Sequence, residues 1–272
     1  TLEMMDRFVL GDGAKASWDG LIDEVAVWTS TLTAENAVWL AKNSIAWLGL
    51  ENGLVAYYPF NGNANDESGN GNDGEVNGAT LTADRNGGES KAYSFDGVSS
   101  YIKINNSENL NPNYITLNVW ISLREINENF KEHALIHKPR NLIPYALYVN
   151  SKNQGIEKGN LSFYFSDAGP RHTPNGISDG GFALSVDEWT MATVTYDGKK
   201  INTYNNGEKV ITYNVERYPK LWSSNYPVII GALVIENEDI RSEFFNGQLD
   251  DIRIYNRALS EAEVAALYEL EK

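Results

Sequence analysis

Residues 115–123 read ITLNVWISL, and they alternate without a break. Ile115, Leu117, Val119, Ile121 and Leu123 fall on one side of an extended chain, and Thr116, Asn118, Trp120 and Ser122 fall on the other. A period of two belongs to a β-strand and conflicts with the 3.6-residue period of a helix. The apolar side predicts a buried face. The other side, polar apart from one indole, predicts a surface that is concave if the sheet curves.

The same grammar continues on either side. Strand-like runs recur at 145–149, 161–165, 190–196, 201–205, 209–213 and 228–230, and tight turns are expected at Asp197-Gly198 and Asn206-Gly207, dipeptides that accept positive φ. Many short strands and almost no helix predict an all-β antiparallel sandwich. Two short helices are expected, near 33–42 and 260–270. Ser260-Glu261-Ala262-Glu263 forms a capping box ahead of Val264, and Thr33-Ala34-Glu35-Asn36 opens the other in a weaker version of the same pattern.

Composition narrows the function. The 272 residues are 42% hydrophobic and 11% aromatic, enough to bury a large core. Against 37 Asp and Glu stand 22 Lys and Arg, a formal charge of −15 that repels phosphate backbones, so nucleic acid is excluded as a partner. No apolar run approaches the ~18 residues of a membrane span, so membrane insertion is not expected. The absence of cysteine removes disulfides, thiolate nucleophiles and Cys-based zinc sites together. Residues 1–30 lack a signal-peptide pattern, and the chain opens on a strand-like run, Phe8-Val9-Leu10-Gly11, so it reads as a piece of a longer protein with any export signal upstream.

An internal repeat divides the chain. Residues 20–32 read GLIDEVAVWTSTL and residues 247–259 read GQLDDIRIYNRAL, with Gly20, Asp23, Trp28 and Leu32 matching Gly247, Asp250, Tyr255 and Leu259. The module GLVAYYPFNGNANDESGNGNDG, from Gly53 to Gly74, occurs once. One complete unit over 50–272 is therefore expected, preceded in 1–47 by the end of another, and a spacing this long signals tandem domains.

Several motifs in this order, LVAYYPF from Leu54, NDESGNGN from Asn65, SFDG from Ser94, ALIHK from Ala134, Glu188-Trp189 through Gly198, and Gly247 through Leu259, resemble the bacterial laminin G-like domains of the concanavalin A-like lectin/glucanase superfamily. The resemblance implies a jelly roll of two curved antiparallel sheets over 50–272, and makes residues 1–47 the tail of a preceding laminin G-like domain. It leaves function open, because the fold hosts lectins, glycosidases, polysaccharide lyases and spacers.

The resemblance also implies a structural calcium ion at a sheet edge. Residues 60–74 pack eleven Asn, Asp or Gly into fifteen positions. Asp66, Asn70 and Asn72 from that loop, Asp96 with the Gly97 carbonyl, and Asp250 are the candidate ligands, since calcium takes six to eight hard oxygens. Strict alternation along 247–256 puts Asp250 on the face of Ile252 and Ile254, where a carboxylate must find an Arg, backbone N–H groups or a metal. The alternative is a connector whose Asn and Asp side chains bond only nearby backbone. Asp23 sits at the equivalent point of the first copy without loop partners.

Catalysis finds little support. The Glu-x-Asp-x-x-Glu strand of the superfamily's hydrolases is absent, and His133, His137 and His172 are scattered, with His137 expected to be structural. Aromatics offer a glycan platform instead. Tyr218, Trp222 and Tyr226 share one loop with Asn, Ser and Lys; Arg171 and His172 lie in another long polar loop; Trp120 lies on the polar strand face; Trp189 is expected in the core. Against the platform stands the plain reading that these aromatics cover the core. The favoured function is a non-catalytic carbohydrate-binding or adhesion module, extracellular or on the cell surface, with a glycan or polysaccharide and other domains of the same protein as partners. A spacer or protein-interaction domain is the alternative, and a glycosidase or lyase comes last.

Overall fold

The computed structural model describes residues 12–13, 16–17, 49–126, 132–139, 143–151, 158–166, 174–177, 179–215, 220–234 and 240–272. The chain divides into two compact units, Thr1–Leu50 and Glu51–Lys272. In the first, strands β1 (Asp12–Gly13) and β2 (Ala16–Ser17) pair antiparallel. The helix expected over 33–42 and Asp23 lie outside the described residues.

The second unit is a sandwich of two antiparallel sheets. Its strands begin with β3 (Leu54–Tyr58), β4 (Gly74–Asn77), β5 (Thr80–Thr82), β6 (Ala92–Asp96), β7 (Tyr101–Ile104) and β8 (Ile115–Leu123). Next come β9 (Glu132–Lys138), β10 (Tyr145–Asn150), β11 (Leu161–Ser166), β12 (Pro174–Ile177), β13 (Trp189–Tyr196), β14 (Lys200–Asn205) and β15 (Glu208–Asn214). The last are β16 (Val228–Ile230), a small hairpin of β17 (Leu233–Val234) and β18 (Ile240–Ser242), and β19 (Asn246–Tyr255). One sheet runs β12-β11-β10-β9-β16-β7-β4. The other runs β15-β14-β13-β8-β19-β6-β5, with β3 pairing the second half of β19.

The period of two does what the sequence says on the inner side. Ile115, Leu117, Val119, Ile121 and Leu123 join Leu135, Ile136, Leu147, Val149, Phe163, Phe165, Val194, Ile252 and Ile254 in one continuous core. At ~25 cal/mol per Å² of apolar surface removed from water, this interlayer is the main favourable term of the fold. The outer side of β8 departs from expectation: all nine of its residues are buried. The cause is helix α1 (Glu261–Glu271), which Ser260 starts with a complete capping box and which lies across the outer face of β8 and β19.

Strict alternation also fails in β19. The register shifts between Asp250 and Arg253, and Asp251 adopts a left-handed φ of +43°. This bulge leaves Leu249, Ile252 and Ile254 in the core. Asp250 does not share the face of Ile252; it faces outward with Asp251 and Arg253, where all three meet one another's ion-pair partners.

The loop after β3 solves a problem of that strand's position. β3 pairs only with β19, which leaves its other edge with unpaired backbone groups. Residues 66–72 supply the partners. Tyr57 N–H donates to Asp66 Oδ1, Glu67 N–H donates to the Tyr57 carbonyl, Ser68 Oγ and Asn72 Nδ2 donate to the Val55 carbonyl, and Asn70 Nδ2 donates to the Leu54 carbonyl. Side chains thus stand in for a missing strand.

Candidate functional site

The expected calcium ligands fall into three separate hydrogen-bond networks. Asp66 accepts from the N–H groups of Tyr57 and Ser68 on Oδ1 and from Asn72 N–H on Oδ2. The Asn72 side chain accepts from Ser107 Oγ, and Asn70 acts as a donor. Asp96 closes the β6–β7 turn, where its Oδ1 accepts from the N–H groups of Val98, Ser99 and Ser100, and these bonds hold its carboxyl well below the usual carboxylate range against the opposing effect of burial. Gly97, at φ +72°, donates its N–H to the Phe245 carbonyl within the same turn. Asp250 pairs with Arg85 at 2.7 Å. Each of these carboxylates is engaged by N–H, hydroxyl or guanidinium donors, and the described residues hold no group of three or more His, Asp or Glu arranged for a metal. The candidates belong to three hydrogen-bond networks, and no chemistry is derived through a calcium ion.

Under α1 lies a buried ionic cluster. Arg85 bonds Asp250 at 2.7 Å and Asp251 at 2.8 Å, and its guanidinium stacks 4.3 Å from the centre of the Trp120 ring. Arg253 pairs with Glu271 and stacks 3.7 Å over Tyr57, whose hydroxyl donates to Asp251 Oδ1. Glu271 Oε2 accepts from Trp120 Nε1 at 2.6 Å, and Tyr268 stacks on the same indole. Three carboxylates face two guanidiniums here. Burial raises the pKa of Asp250 well above the usual carboxylate range, and Asp251 beside it adds to the rise. Burial likewise pushes Glu271 up to about 7, opposed by Arg253. Trp120, expected on an open polar surface, is 4% exposed and therefore cannot stack on a ligand. The reason is the helix itself, whose last carboxylate occupies the indole N–H.

Trp222 and Tyr226 occupy a different setting, the end of the sandwich where β7, β9 and β11 finish and β10 and β16 begin. Trp222 N–H donates to the Ser166 carbonyl, Leu221 N–H to the Asn113 carbonyl, and Ser224 Oγ to the Pro139 carbonyl. Asn111 Oδ1 accepts from Ser224 N–H. Lys138 is fully buried and donates to Asn106 Oδ1 at 2.7 Å and to the Tyr226 carbonyl at 3.0 Å; burial pushes its ammonium down to about 7. Four segments are thereby fixed around two half-buried aromatics. Nothing local marks Lys138, which closes a strand and looks like any solvent-facing lysine. Tyr218, Arg171 and His172 lie outside the described residues.

His137 is buried on the outer face of the seven-stranded sheet near Tyr148, and burial pushes its imidazole down to about 3, so it stays neutral. Trp189, expected in the core, is half-buried at the start of β13. A cavity of about 470 Å³ opens between β14, β15 and the start of α1, lined by Lys200, Asn202, Tyr204, Lys209, Thr212 and Ser260 among others. No sequence motif announces it, since its residues come from two outward strand faces and a helix cap.

A laminin G-like family model, described as the Concanavalin A-like lectin/glucanases superfamily, matches residues 96–265. No curated protein matches the chain by sequence. Among solved structures, domain 4 of AbnA, a GH43 extracellular arabinanase from Geobacillus stearothermophilus in complex with arabinotriose, superposes with a TM-score of 0.59 at 18% identity, covering 79% of this chain and 98% of that one. The binding domain of Paraclostridial Mosquitocidal Protein 1 gives a TM-score of 0.62 at 24% identity over 80% of this chain. The binding domain of botulinum neurotoxin serotype D gives 0.61 at 17% identity over 81%. This chain spans 52% of each of those two toxin domains. At such identities the superpositions speak for the fold alone. With the family model spanning well over half its length, the chain belongs to the laminin G-like family of the concanavalin A-like superfamily.

Proposed function

We propose that this chain is a non-catalytic carbohydrate-binding module of an extracellular or cell-surface protein. The observation that carries the reading is the loop end around Trp222 and Tyr226. Its segments are tied to one another by hydrogen bonds, so Trp222 and Tyr226, each partly exposed, are ordered before any ligand arrives in a stretch that exposes Lys220, Ser223 and Asn225. Sugar rings present C–H faces to flat aromatics and hydroxyls to polar neighbours, and a preformed site avoids the cost of ordering loops on binding. The arabinotriose complex of a domain with the same fold supports the class of ligand.

The absence of catalysis in this reading rests on the placement of the carboxylates. The side chains of Asp250, Asp251 and Glu271 are 3%, 12% and 8% exposed and are engaged with arginines under α1, so they reach no substrate. A protein-interaction role is the second reading. It is favoured by β15, an edge strand exposed along its whole length with Val210, Ile211 and Tyr213 in solvent. A glycan array probed with the intact chain separates the two, with Trp222→Ala as the control. Binding lost in that variant supports the module; an array with no signal sinks it.

A further inference from the structure

We infer that the cavity between β14, β15 and the start of α1 is a second binding site, built for a short uncharged oligosaccharide. The inference borrows the class of ligand from the binding-module reading, but its location stands on separate residues. At about 470 Å³ the cavity falls within the roughly 300–1,000 Å³ typical of small-ligand clefts. Its wall is already organised. Thr212 Oγ1 donates to Asn202 Oδ1 at 2.7 Å, and Asn202 Nδ2 donates to Thr195 Oγ1 at 3.2 Å, so the amide has a fixed orientation before any ligand arrives. The floor includes the edge of buried Tyr204, and the far wall is Ser260 and the first turn of the helix.

The charges on this wall are largely spent on one another. Lys209 pairs with Glu261 at 2.5 Å, Glu263 pairs with Arg257 at 2.7 Å, and Asp197 Oδ1 accepts from the N–H groups of Lys199 and Lys200. What remains is a second amide hydrogen of Asn202, the acceptor lone pairs of Thr212, the hydroxyl of Ser260 and the ammonium of Lys200. Hydroxyl groups, which donate and accept at once, match such a set. An anionic ligand does not: three carboxylates line the cavity against two lysines, and the chain carries −15 overall.

The test uses the intact chain labelled for NMR, titrated with arabinotriose and with cellotriose. Shifts confined to residues 197–212 and 258–263, lost at least tenfold in affinity in Thr212→Trp, support the site. Thr212 is exposed on β15, and a tryptophan there fills the cavity without disturbing the core. If that variant misfolds, Thr212→Val, which removes the hydroxyl alone, must weaken binding at least threefold. Shifts that map to Trp222 and survive in Thr212→Trp overturn this site and leave the module reading intact. Shifts nowhere with either trisaccharide overturn the site, and silence across a full glycan array overturns the module as well.

Discussion

Trp120 and Trp222 look alike in the sequence, each an aromatic among Asn and Ser, and they end in opposite situations. Trp120 is closed in on every side: Arg85 on one face, Tyr268 on the other, Glu271 on its N–H. Trp222 is held through its backbone N–H and stays partly exposed as a residue, without an element laid across it as α1 lies across Trp120 among the described residues. The difference lies in what crosses over each residue, not in its neighbours along the chain. A polar strand face is an open surface only when no later element comes back to cover it, and α1 comes back from residue 260.

The comparison breaks most visibly at Trp120. Trp120→Ala should destabilise the fold by about 3–5 kcal/mol, through the lost ring and the Glu271 Oε2 left without its indole donor, and leave glycan affinity per folded molecule unchanged. Thermal melts beside binding isotherms check both halves; a glycan-specific loss with an unchanged melting temperature would return Trp120 to the ligand surface. Next in size is Asp66→Ala, expected to cost about 2 kcal/mol because three N–H groups lose their acceptor along the β3 edge. That cost should be the same in calcium and in EDTA. A melting temperature that falls in EDTA for the parent and not for the variant would show that the loop carboxylates take a metal after all.

A smaller effect is expected from pH. Glu271 has a folded-state pKa near 7, above the ~4.3 of an unfolded chain, so the folded state binds its proton more tightly. Its contribution is complete below about pH 4.3 and is lost as pH rises through 7. His137 acts the other way: its contribution is complete above about pH 6.5 and is lost as pH falls towards 3. Glu271→Gln should therefore flatten the decline between pH ~4.3 and 7, by something on the order of 1 kcal/mol across that window, and leave the acid limb in place. An unchanged slope above pH ~4.3 would mean the carboxylate is ionised throughout. The smallest stability change belongs to Trp222→Ala, about 1 kcal/mol for a partly exposed residue, with at least a tenfold loss of glycan binding. A loss of stability comparable to that of Trp120→Ala would erase the contrast and make Trp222 part of the core.

Much of the architecture was readable because burial on one face leaves a period in the chain. β8 and β16 fall where the alternation puts them, and the capping box at Ser260 forms in full. The bulge in β19 was not read: strict alternation puts Asp250 with Ile252 and Ile254, and only the register shift with Asp251 at positive φ reveals the extra residue. The partners were not readable. Arg85 meets Asp250 across 165 positions, and nothing local in either residue names the other. Lys138 is hidden for the same reason, since its burial depends on Asn106 and on a loop that closes 88 residues later. The opening Asn and Asp residues carried the right message, abundant side-chain oxygen and amide, while the object they address, the bare edge of β3, is a fact of topology.

That edge has a consequence for how copies of this domain can meet. On one flank of the eight-stranded sheet, β3 is sheathed by side chains of its own loop and β5 offers three residues. On the other flank, β15 is bare over seven. Among the described residues, this sheet can join a twin through β15, and the joined sheet then ends on both sides in the sheathed β3 and short β5. Stacking this sheet end on end needs two open borders on every copy, and the asparagines of the opening loop close one of them.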